Sequence, residues 1–142
     1  MNTDKKTLLL SRKLANQILT HAQQNPETEI CGLISSQNQH ANRYYPIMNS
    51  AENSGVRFQM DEQAQIAAMK EMRKQNEELL AIVHSHPHSD AIPSALDEQE
   101  HQYPDAFYLI VSLNTTGVLD LRAFKKIGQH FQPVELVLDH PC

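Results

Sequence analysis

Apolar and polar residues alternate along this chain with two distinct periods. From Ser11 the period is helical. Leu14, Ile18, Leu19 and Ala22 share one face, Ser11 is placed to cap the first turn, and Pro26 stops the helix after about Asn25. A second helical stretch runs from its cap Asp61 to about Asn76 and is expected to bury Ile66, Met69 and Met72. Residues 30–36 and 41–48 read as strands, followed by a polar loop from Asn49 to Arg57 that holds Gly55. Leu79 to Val83 is an unbroken apolar run of strand length, and the strand is expected over about 78–86. A short helix from Ser94 to about Gln102 comes next. Strands near 107–113, 118–125 and 131–138 finish the chain, with Thr115-Thr116-Gly117 as the turn between the first two of these. Strands interspersed with helices predict an α/β class, a mixed β-sheet flanked by helices, in a single domain over residues 1–142.

Composition narrows the function classes. A chain of 142 residues with 40% hydrophobic and 20% charged residues fits a soluble globular domain. The net charge of −5, with no basic cluster larger than a pair such as Lys125-Lys126, argues against a nucleic-acid partner. Leu8-Leu9-Leu10 is too short for a signal-peptide core or a membrane span, so a cytoplasmic protein is expected. Two cysteines make no disulfide framework. Cys31 lies in an apolar strand, where a reduced thiol acts as a small hydrophobe. Cys142 is expected to be only locally packed.

The chemistry concentrates between residues 84 and 97, His84-Ser85-His86-Pro87 and then Ser94-x-x-Asp97. On a strand, residues i and i+2 face the same way, so His84 and His86 project together from the end of the apolar run. Pro87 removes a ladder donor and should end the strand. Two imidazoles and a carboxylate form a three-ligand set that leaves the fourth position of a tetrahedral zinc ion open, as catalytic sites require. Ser94-x-x-Asp97 also reads as a helix capping box with Asp in place of Glu, and capping and ligation can coexist. His88, two residues beyond His86, is either a further ligand or a polar loop residue.

A hydrolytic metal site also needs a group to carry the proton between water and leaving amine. Upstream, Glu27 and Glu29 both precede the strand that begins at Ile30, and spacing does not separate them.

Glu29-x-Cys31-Gly32, then His84-Ser85-His86-Pro87 and Pro93-Ser94-x-x-Asp97, resembles the JAMM (MPN+) zinc metallopeptidase family, in its short single-domain prokaryotic form. Asn49, Phe58 and Asp61 are similar to Asn, Phe and acidic positions between the two motifs of that family, and the likeness spans roughly residues 8 to 126. The resemblance implies a cytidine-deaminase-like fold, with His84, His86 and Asp97 as zinc ligands. It implies Glu29, not Glu27, as general acid/base and Ser94 as oxyanion donor. Deaminase chemistry itself needs H-x-E and P-C-x-x-C, which the chain lacks. The implied substrate is a ubiquitin-like or sulfur-carrier protein cut after a Gly-Gly-type C-terminus, its extended tail held by β-augmentation with residues 49–55 as one wall of the groove. Two other classes are weighed against it: a metal-free scaffold of the same fold, and a DNA-repair-associated relative that would show salt-sensitive DNA binding.

Overall fold

The computed structural model describes residues 7–100, 103–115 and 119–139. Seven strands form one mixed sheet: β1 (Thr7–Ser11), β2 (Cys31–Gln37), β3 (His40–Ile47), β4 (Glu78–His86), β5 (Phe107–Ser112), β6 (Asp120–Ile127) and β7 (His130–Asp139). The helices are α1 (Arg12–Gln23), α2 (Glu62–Lys74) and α3 (Ala95–Glu100). Strand order is β1-β7-β6-β5-β4-β2-β3. The pairs β1·β7 and β4·β5 are parallel and the others antiparallel.

Alternation along β2, β4 and β5 divides the core between the two faces of the sheet. Leu14, Ala15, Ile18 and Ala22 of α1 pack with Ile34, Ala81, Val83, Leu109 and Val111 on one face. Ala68 and Met72 of α2 pack with Leu33, Ile82, Tyr108 and Ile110 on the other. The central strand β5 is buried along its whole length, as its unbroken apolar sequence requires.

The helix starts follow the expected caps. Ser11 Oγ accepts from the Leu14 N–H at 3.1 Å, and Asp61 Oδ2 accepts from the Ala64 N–H at 3.0 Å. Two expectations need correction, and one strand is added to those expected. Helix α1 stops at Gln23, short of Asn25. Ile66 is 54% exposed, because α2 crosses the sheet on its Ala68–Met72 stripe and turns Ile66 outward. Leu8-Leu9-Leu10 forms β1, a strand the sequence did not reveal. Its partner β7 lies at the far end of the chain, so nothing local marks the pairing. Thr116, Gly117 and Cys142 lie outside the described residues.

Helix α2 ends in a Schellman motif. Asn76 takes a positive φ of 59°, its N–H donates to Arg73 O at 3.2 Å, and the Glu77 N–H donates to Met72 O at 2.8 Å. The turn delivers the Glu77 carboxylate into the protein beside the edge strand. There it accepts from Asn42 Nδ2 and Tyr45 Oη, each at 2.6 Å, with Arg43 Nε at 3.8 Å. Burial on its own would raise the Glu77 pKa, but the hydrogen bonds from Tyr45, Ser35 and Asn42 and the charge of Arg43 outweigh it and lower it.

The glycine of the Glu-x-Cys-Gly motif has a packing role. A Cβ at Gly32 would fall 2.5 Å from Cε1 of the Tyr44 ring, whose hydroxyl is hydrogen-bonded to His21 Nδ1 at 2.7 Å.

Gly32→Ala is expected to destabilise the fold by about 1–3 kcal/mol through overpacking, read by urea denaturation. A second expectation concerns pH. Glu77 has a depressed folded pKa. Its contribution is therefore complete above the unfolded value of about 4.3 and is lost as pH falls through the folded value. The stability gap between wild type and Glu77→Gln should be open at pH 7 and narrow as pH falls below about 4.3, closing through the depressed folded value. A gap independent of pH would remove the charge from the account.

Candidate metal centre

The end of β4 and the start of β2 lie side by side, with Cys31 opposite His84 in the antiparallel register. His84 and His86 both point to the α2 face, continuing the Ile82 row, and Ser85 points to the other. Helix α3 begins just past Ser94 and brings in Asp97. Asp97 Oδ2 lies 3.2 Å from His84 Nε2 and 3.3 Å from His86 Nε2, and the two nitrogens are 3.2 Å apart. Glu29, at the approach to β2, completes the cluster. Glu29, His84 and His86 each offer a ligand atom within 4.8 Å of the others. All four side chains are at most 7% exposed.

The protons show why this arrangement suits a cation. His86 Nδ1 sits 2.7 Å from Asp90 O, and since a carbonyl only accepts, Nδ1 is the donor. In the neutral ring His86 Nε2 then carries a lone pair aimed at Asp97 and His84. A carboxylate oxygen and imidazole nitrogens facing one point repel unless a proton or cation lies between them. Burial alone would raise the Asp97 pKa, but the two imidazoles and the Ser94 N–H hold it well below the usual carboxylate range. Burial lowers His84, while in His86 the bonds to Asp97 and Asp90 outweigh burial and raise it. Burial pushes the Glu29 carboxyl up to about 8, with His86 opposing and Asp97 adding to the shift. Burial likewise pushes the Cys31 thiol up to about 12, where it is inert as a nucleophile.

The capping reading of Ser94-x-x-Asp97 is met. Ser94 Oγ accepts from the Asp97 N–H at 3.0 Å, and Asp97 Oδ2 accepts from the Ser94 N–H at 2.8 Å. That is a reciprocal capping box, and it aims the same Oδ2 at the two imidazoles. The hydroxyl oxygen is used as an acceptor, so its own proton stays available.

The two alternatives from the sequence pair with each other. His88 Nε2 lies 3.4 Å from Glu27 Oε1 in an exposed contact, and neither belongs to the buried cluster. Residues with no chemistry of their own support the site. The Phe58 ring stacks on His84 with centroids 4.5 Å apart, Tyr108 meets His84 edge-on at 5.6 Å, and Phe131 stacks on Tyr108 at 4.7 Å. This aromatic column orients His84, whose buried Nδ1 has no hydrogen-bond partner among the described residues. Glu98 ties α3 to the β6–β7 hairpin, accepting from the Phe131 N–H at 3.0 Å, while its carbonyl accepts from Lys126 Nζ at 2.7 Å. Nothing in the sequence marked Glu98 or Tyr108, because their partners are distant in the chain.

Residues 11–125 match the family model described as prokaryotic homologs of the JAB domain. The chain belongs to the prokaryotic JAB family. The JAMM resemblance of its motifs is thereby confirmed, and the mixed seven-stranded sheet with its helices is the fold of this domain. Among curated relatives, the desampylase of Haloferax volcanii is 28% identical over 74% of this chain and 80% of its own. The CysO-cysteine peptidase of Mycobacterium tuberculosis is 28% identical over 83% of this chain and 82% of its own. Among solved structures, a Desulfitobacterium hafniense protein superposes with a TM-score of 0.85 at 31% identity, covering 94% of each chain. A Salinibacter ruber protein shares the fold, with a TM-score of 0.67 at 23% identity over 93% of this chain and 92% of that one.

In this JAB domain the stacked Phe58 ring restrains the plane of His84, which no hydrogen bond to Nδ1 does among the described residues. Phe58→Ala should therefore weaken divalent-metal affinity ~10–100-fold with the fold retained. Titration against a chromophoric chelator measures it, and unchanged affinity would dismiss the role of the stack.

Proposed function

We propose that this protein is a zinc-dependent peptidase or isopeptidase that hydrolyses the amide bond following a Gly-Gly-type C-terminus of a ubiquitin-like or sulfur-carrier protein. The observation that carries this reading is the convergence of His84 Nε2, His86 Nε2 and Asp97 Oδ2 within 3.2–3.3 Å, with the Glu29 carboxylate buried beside them. His84, His86 and Asp97 would hold the ion. Asp97 is preferred to Glu29 as third ligand because its Oδ2 meets both imidazoles, while Glu29 keeps a buried Oε1 without a hydrogen-bond partner among the described residues. Zinc bound there supplies Lewis-acid chemistry, lowering the pKa of a water toward about 7 and polarising the scissile carbonyl.

The chain's own groups do the rest. Glu29 accepts the proton of the attacking water and returns it to the nitrogen of the leaving amine. A carboxyl that is shielded from solvent and, among the described residues, unpartnered at Oε1 can do both once the charge of a bound cation has drawn down the pKa that burial raises. Ser94 donates its hydroxyl proton to the oxyanion that develops on the substrate carbonyl, an interaction typically worth about 3 kcal/mol. Burial around the imidazoles keeps bulk water from competing with these contacts. A relative named for cleaving CysO-cysteine, and another named desampylase, support a protein-linked substrate. A cytoplasmic setting suits the buried free thiol of Cys31.

Incubating the protein with Gly-Gly-tailed carrier conjugates, with and without a chelator, and reading products by mass spectrometry tests the reaction. Cleavage after Gly-Gly that stops on chelation is expected, and chelator-resistant cleavage or none at all counts against it. Glu29→Gln should retain zinc and lose ~10²–10⁴-fold in rate. His84→Ala and Asp97→Ala should lose both, and stoichiometric zinc in either variant would sink the ligand assignment.

A further inference from the structure

We infer that Asn49 and Ser85 are positioning residues for Glu29, gripping its backbone from two sides. The inference rests on the proposal that Glu29 carries the proton. No hydrogen-bond donor among the described residues reaches the buried Oε1 of Glu29, so that atom is not tethered through its own contacts. The direction in which the Glu29 side chain leaves the backbone is therefore the fixed point from which the carboxylate is placed.

That backbone is held at three points. The Glu29 C=O accepts from Asn49 Nδ2 at 2.9 Å. The N–H of the same peptide unit, belonging to Ile30, donates to Ser85 Oγ at 2.8 Å. The Glu29 N–H donates to Ser54 O at 2.6 Å. A peptide unit is planar, so holding its oxygen and its nitrogen together fixes its orientation; with the Glu29 N–H of the preceding unit held as well, both planes flanking Cα are set, and with them the direction of the Glu29 Cα–Cβ bond.

Asn49 is itself rigidly held. Nδ2 also donates to Arg57 O at 3.0 Å, while Oδ1 accepts from the N–H groups of Ala51 and Gln59, each at 2.9 Å. Two carbonyls on one side and two N–H groups on the other leave one possible orientation of the amide. Ser85 is fully buried, and its own N–H donates to Ile30 O at 3.0 Å. It stands between His84 and His86 on β4 but faces the opposite side of the sheet. One strand therefore presents the imidazoles with its even positions and grips the Glu29 segment with the residue between them. The polar loop 49–59 thus acts behind the carboxylate.

Asn49→Asp separates the two halves of this role. It keeps acceptors for Ala51 and Gln59 but sets an acceptor against the carbonyls of Glu29 and Arg57. In the zinc-loaded variant, zinc stoichiometry and KM should be unchanged and kcat should fall ~10–100-fold. The carbonyl ¹³C resonance of Glu29 should move upfield as its hydrogen bond is lost. Ser85→Ala should lower kcat in the same way and speed exchange of the Ile30 amide, and it carries the test alone if Asn49→Asp does not fold. Wild-type kcat in both variants overturns the inference, as does a kcat loss that only tracks lost zinc or lost thermal stability. Glu29→Gln measured in parallel keeps the failures apart. Full activity there removes the proton-carrier assignment, whereas its inactivity beside fully active Asn49 and Ser85 variants removes only the grip.

Discussion

Two imidazole nitrogens and a carboxylate oxygen held within 3.3 Å of one another, away from water, constrain everything built around them. Such a cluster is costly to bury without positive charge at its centre. It persists only where the surrounding framework over-determines it. Here the framework is β4, paired on one side with β2 and on the other with β5, both almost wholly buried. The sheet fixes the imidazoles, the capping box fixes Asp97, and the Asp90 carbonyl and the aromatic column fix the ring orientations.

The two faces of β4 divide the labour. On the α2 face, alternation carries Ile82, His84 and His86 into the site. On the α1 face, Val83 joins the larger core and Ser85 reaches across to the peptide that follows Glu29. The same economy appears in β2. Cys31 faces the site as an inert buried thiol, while Gly32 leaves the opposite face open for the Tyr44 ring. Residues that look like incidental motif spacers thus hold the geometry of the chemistry.

What was legible in the sequence followed from local rules. Ser11 and Asp61 cap helices because short polar side chains satisfy free N–H groups within three residues of chain. His84 and His86 share a face because a strand has a period of two. The misses came where partners are remote. β1 was invisible because its pairing is with β7, and Ile66 was misjudged because a helix face is chosen by the sheet it lands on. Glu98, Tyr108 and the grip of Ser85 on the Glu29 segment belong to the same class.

By spacing alone the sequence singled out His84, His86, Asp97 and a nearby acid, together with the strand and cap that present them. Spacing along one strand and one helical turn is a local property, readable without the fold. Spacing left Glu27 and Glu29 open and the motif resemblance pointed to Glu29; the physical reason lies in the tertiary structure. Glu29 and Glu27 are two residues apart and chemically alike, but the register of β2 on β4 buries the first within the cluster and leaves the second at the surface beside His88. A motif can name the residue, but its burial beside the imidazoles is made by pairing between segments far apart in the chain.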